Sequence, residues 1–67
     1  MQEEIRAANS ARHFAEIALA WGLEGVFPLL CELVCERGFA HVHGTTTVEA
    51  ILFDFEGRVL GRAVRGT

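Results

Sequence analysis

The sequence predicts an α+β domain: a helical hairpin of two helices followed by a two- or three-stranded antiparallel β-meander. Three observations predict it. Gln2 to Trp21 sets alanines and large apolar residues at helical spacing. Val26 to Cys35 is a near-continuous apolar run, V-F-P-L-L-C-E-L-V-C, broken only by Pro28 and Glu32. Beyond Gly38 the apolar period changes from helical to alternating, with turn residues between the runs.

In the first helix Ala7, Ala11, Phe14, Ile17, Ala18 and Trp21 share a face, and Arg12 and Glu16 form an i,i+4 pair on the opposite side. Asn9 and Ser10 lower helix propensity and suit a cap for a shorter helix, but a continuous helix is the preferred reading. Gly22 takes the left-handed stop and Gly25 caps the second helix, whose first turn tolerates Pro28 because its first N–H groups lack intrahelical partners. That helix is expected to end at Gly38, with Phe39 contacting Val34. Wound as a helix, the run leaves only Glu32 and Glu36 on a wet edge.

F-A-H-V-H, from Phe39 to His43, is a strand candidate, and G-T-T-T a turn. Val48 to Phe55 and Arg58 to Val64 flank Asp54-Phe55-Glu56-Gly57, which suits a type I turn with glycine in the bulge position. The register that follows pairs Asp54 with Arg58, Phe53 with Val59, Leu52 with Leu60 and Val48 with Val64; a two-residue Glu56-Gly57 turn would shift it by one. Either register leaves apolar residues on both faces of the ribbon, and one helical hairpin covers only one face.

With 67 residues, 1–67 reads as a single domain, and 51% of them are apolar. A chain of this length buries only about 60% of the surface its unfolded form exposes, so self-association, as a homodimer, is the expected relief. There is no cationic leader followed by an apolar stretch, and no run long enough to span a bilayer, so a cytoplasmic protein with no membrane partner is expected. The formal net charge of −3 is uneven. Glu3, Glu4, Glu16, Glu24, Glu32 and Glu36 outnumber Arg6 and Arg12 up to residue 36, and Arg37, Arg58, Arg62 and Arg65 make the remainder slightly basic. Such a balance disfavours direct nucleic-acid binding, and the arginines of the ribbon read as solvated charges that deter aggregation.

Cys31, Cys35, His41 and His43 give C-x3-C-x5-H-x-H, the atoms of a tetrahedral zinc site on a loop much shorter than that of a zinc finger. The plainer reading makes the cysteines small buried apolar residues and sets the histidines along a strand, with no metal and no cofactor. Cys31 and Cys35 lie on the helix flank away from Leu29 and Leu33, which makes them candidate dimer contacts. As a catalytic pair Cys35 with His41 or His43 lacks an orienter, oxyanion donors and a pocket, so no catalytic residue is assigned and no enzyme is expected. Glu3, Glu4, Glu24, Glu32 and Glu36, if joined in one patch, form an acidic surface for a protein partner.

Taken whole, the chain resembles the small acidic anti-CRISPR proteins of phages and mobile elements that act on type I systems. Length, acidity, helices followed by a hairpin, and apolar excess carry the resemblance; no motif does, so no residue is carried over. It implies a dimeric inhibitor that binds a CRISPR effector subunit in the host cytoplasm and blocks target-DNA loading, with the acidic half competing for a basic channel. Two other classes fit the same features: an antitoxin-like homodimeric regulatory module and a small Cys/His zinc-binding module.

Overall fold

The computed structural model describes residues 2–25 and 30–66. Two helices, α1 (Gln2–Ala7) and α2 (Ala11–Leu23), precede four strands, β1 (Leu30–Cys35), β2 (Gly38–Gly44), β3 (Thr47–Asp54) and β4 (Val59–Gly66). The strands form one antiparallel meander in the order β1-β2-β3-β4. The α+β class and the order of helices before sheet are as expected, but the sheet has four strands rather than two or three.

The expected continuous first helix is broken. Ser10 takes an extended conformation, and its hydroxyl accepts the His13 N–H at 3.1 Å, which caps α2. The N–H of Ala8 is held by the carbonyls of Glu4 at 2.9 Å and Ile5 at 3.2 Å, which closes α1. Arg37, in the β1–β2 turn, donates to the Asn9 carbonyl and ties the break to the sheet. Gly22 stays inside α2, and Gly25, at φ 75°, carries the left-handed stop instead.

The larger correction concerns the apolar run. Residues 26–29, including Pro28, lie outside the described residues, and Leu30–Cys35 is a strand, not a helix. Its side chains alternate between an outer side carrying Leu30, Glu32 and Val34 and an inner side carrying Cys31, Leu33 and Cys35. A run apolar at both parities satisfies either period, and pairing with β2 decides it. Leu30 lies opposite His43 and Cys35 opposite Gly38, which leaves Glu36 and Arg37 as the hairpin turn. Gly38 therefore opens β2 rather than ending a helix. A Cβ there would sit 1.9 Å from the Phe53 carbonyl oxygen, so only glycine lets β2 approach β3 this closely.

The β3–β4 hairpin closes at the expected turn. Asp54 N–H donates to the Arg58 carbonyl at 2.8 Å, Gly57 N–H donates to the Asp54 carbonyl at 3.0 Å, and Gly57 has φ 86°. Asp54 Oδ1 accepts the N–H groups of Glu56 and Arg58, each at 2.9 Å. Phe53 faces Val59 as expected, but Leu60 is an extra residue in β4, so Leu52 faces Gly61 and Val48 faces Arg65. That bulge corrects the pairings of Leu52 with Leu60 and Val48 with Val64, and it moves Val64 to the opposite face.

The core lies between α2 and one face of the sheet. Ala11, Phe14, Ala15, Ile17, Ala18 and Trp21 of α2 pack on Ala40, Val42, Val48, Ala50 and Leu52. Small residues on that face let α2 sit close; a Cβ at Gly61 would meet the Ala11 Cβ at an ordinary 3.7 Å. α1 lies against β1, over Cys35 and beside Leu33. On the outer side of α2, Arg12 and Glu16 form the expected pair at 3.4 Å, which Arg65 Nε joins at 3.9 Å.

Candidate functional site: the uncovered face of the sheet

The helices cover one face of the meander, and the register builds the other into three rows across the strands. Leu30, His43, Glu49 and Val64 form the first row, Glu32, His41, Ile51 and Arg62 the second, and Val34, Phe39, Phe53 and Val59 the third. Each row takes one residue from each strand, because directly paired antiparallel residues point to the same side.

The third row is wholly apolar. Phe39 and Phe53 stack with ring centroids 5.2 Å apart and planes inclined by 20°. Val34 and Val59 flank them and are 69% and 62% exposed, and Leu30 at the far corner is 62% exposed. The first row is polar at its centre, and the second sets Glu32, His41 and Arg62 about Ile51. Glu49, whose side chain is 19% exposed, accepts from Arg62 Nε at 2.6 Å on one oxygen and has His43 Nε2 2.9 Å from the other. Glu32 lies 3.6 Å from His41 Nδ1, and the rings of His41 and His43 meet edge to face at 5.7 Å. Glu49 therefore has a cationic counter-group within the sheet, Arg62, and lies between it and His43.

The expected site residues are dispersed by this geometry. Cys31 and Cys35 point to the covered face, opposite Val42 and Gly38, whereas His41 and His43 stand on the uncovered one, so the C-x3-C-x5-H-x-H donors are split between two sides of a sheet. Among the described residues no three His, Cys, Asp or Glu side chains converge as a metal site. Cys35 is buried in the core and Cys31 packs against it, so the helix flank on which a dimer contact was placed does not exist. Burial pushes the Cys31 thiol above its ordinary value. Of the acidic residues, Glu3 and Glu4 lie on α1, Glu24 ends α2, Glu36 is in the β1–β2 turn, and Glu32 belongs to the uncovered face beside His41. Glu32 and Glu36 line one cleft with Ile5 and Arg6 of α1. Sequence reasoning gave Glu49 no role and took Arg62 only as a solvated charge; their pairing follows from the β3–β4 register that the bulge at Leu60 sets.

The fold and this face define a class: a two-layer α+β module with one finished core and one sheet face left open, part apolar and part polar. The family model for the C-terminal domain of CbiD matches residues 1–64, and the chain belongs to that family. It is 43% identical over 56 residues to a cobalt-precorrin-5B C(1)-methyltransferase of Rubrobacter xylanophilus, covering 84% of this chain and 14% of that protein. It is 38% identical over 61 residues to the enzyme of that name in a Geobacillus species, covering 91% of this chain and 17% of that protein. The Leptospira interrogans protein of the same name is 34% identical over 59 residues, covering 88% of this chain and 16% of that protein. The chain thus spans between 14% and 17% of the length of these relatives. No solved structure matches.

These findings overturn the resemblance to anti-CRISPR proteins and the inhibitor of a CRISPR effector that it implied. They also correct the expectation of no enzyme, since the relatives are named as methyltransferases. Among the described residues no helix is long and apolar enough to cross a membrane.

Proposed function

We propose that the chain serves as the C-terminal domain of a cobalt-precorrin-5B C(1)-methyltransferase and takes part in methyl transfer to that substrate as a portion of the whole enzyme. The family match over residues 1–64, with 43% identity to the Rubrobacter xylanophilus protein, carries the reading. The geometry supports it. α1, α2 and the inner sheet face complete one core, so the module is a unit that can be joined to a larger body. Two free cysteines fit a reducing compartment, and we place the enzyme in the cytoplasm.

Truncation tests the proposal. Removing the segment of the Rubrobacter xylanophilus protein that matches this chain is expected to abolish methylation of cobalt-precorrin-5B, followed by mass spectrometry of the product. A soluble truncated protein with undiminished turnover would refute it.

A further inference from the structure

We infer that the uncovered sheet face is the surface on which this domain docks against the remainder of a longer methyltransferase polypeptide; the inference rests on the assignment proposed above. The length of the relatives indicates the occupant: the matched segment makes up only 14% of the Rubrobacter xylanophilus protein and 17% of the Geobacillus protein. A small domain within such a chain has most of its potential contacts outside itself.

The composition of the face indicates where those contacts fall. The helix side is already closed, with Phe14, Ala15 and Ala18 fully buried. On the other side two of the three rows end in exposed aliphatic residues, Leu30 and Val64 in the first and Val34 and Val59 in the third, while the second ends in Glu32 and Arg62. The second row contributes Ile51 at its centre. Val34, Phe39, Phe53 and Val59, with Ile51 beside them, form a contiguous apolar patch across all four strands, of the kind that marks an interaction surface.

The polar groups of the face point the same way. Burying a carboxylate is costly unless it is paired and hydrogen-bonded. The Arg62 guanidinium neutralises Glu49 at the centre of the face, with His43 Nε2 2.9 Å from its other oxygen, while Glu32 sits at the exposed β1 edge beside His41. The centre of the face can lose its water without stranding the Glu49 charge. The occupant is therefore an apolar surface of the enzyme's own main body that meets the Phe39–Phe53 stack and brings no unpaired charge opposite Glu49.

Two proteins carrying Val59→Cys test this: the 67-residue chain alone, and a graft in which the chain replaces the matching segment of the Rubrobacter xylanophilus enzyme. Maleimide labelling of residue 59 is followed by peptide mass spectrometry. The thiol is expected to label at least about tenfold more slowly in the graft, because labelling then requires the docked face to open. Equal rates would overturn the inference. Concentration-dependent protection in the free chain, with a dimer by light scattering, would also overturn it and assign the face to a second copy.

Methyl transfer by the graft without the cysteine separates the two proposals. An active graft with a freely labelled residue 59 refutes the docking face alone; a protected residue 59 in an inactive graft upholds the face and counts against the assignment. Should the graft be insoluble, the free Val59→Cys chain is mixed with the truncated relative. Slowed labelling then supports docking, and unchanged labelling refutes it.

Discussion

Gly38 shows how a single missing side chain sets the sheet. Its carbon-bound hydrogen occupies the space in which a Cβ would stand 1.9 Å from the Phe53 carbonyl oxygen and 2.8 Å from the Asp54 Cα. Both obstacles are backbone, so neither can rotate away. Gly38→Ala is expected to destabilise the chain by about 3 kcal/mol or more, in the range of severe overpacking. Urea unfolding followed by circular dichroism measures it, and a loss below about 1 kcal/mol would show that β2 and β3 can part without cost. Cys31 carries a second prediction. Burial raises its thiol above the ordinary value, so the folded state holds the proton to higher pH than the unfolded state. The stability this contributes is present below the unfolded thiol's pKa and is lost as pH rises through the folded one. The urea midpoint of the native chain should therefore fall further between about pH 7 and about pH 10 than that of Cys31→Val. Equal falls would place the alkaline loss elsewhere.

At the scale of elements, the break between α1 and α2 depends on one hydroxyl. Ser10→Ala removes the acceptor for the His13 N–H and is expected to lower stability by about 1 kcal/mol, read from the same unfolding curves. A neutral substitution would mean that Arg37, bound to the Asn9 carbonyl, holds the break by itself. Helix α2 and the β3–β4 hairpin were legible in the sequence because their signals are local: a 3.6-residue period ending near Trp21, and Asp54 and Gly57 at fixed offsets in a tight turn. β1 was not. In L-C-E-L-V-C both parities are apolar, since Leu30 and Val34 serve the open face while Cys31, Leu33 and Cys35 serve the core. Neither period wins on such a run, and its partner, β2, is what makes it a strand. The bulge at Leu60 was hidden for the same reason. No residue type announces it, and it follows from seating Gly61 and Ala63 under α2.

For the whole molecule, the open face exists because four strands are paired in one order while α1 and α2 both pack on the other side. The apolar excess that suggested a homodimer is real: Leu30, Val34, Val59 and Val64 are exposed on this face, and Leu23, Phe55 and Leu60 are exposed outside it, whereas Cys35 is buried. Function was not legible from this excess. Length, acidity and the order of helices and strands are shared by unrelated small domains, so they pointed to inhibitors of CRISPR complexes as readily as to anything else. The family lies instead in similarity spread over residues 1–64. The direct measurement is methyl transfer to cobalt-precorrin-5B by the Rubrobacter xylanophilus enzyme whose C-terminal segment has been replaced by this chain. The account predicts that the graft regains the turnover that truncation removes. A folded, soluble graft as inactive as the truncated enzyme would contradict it.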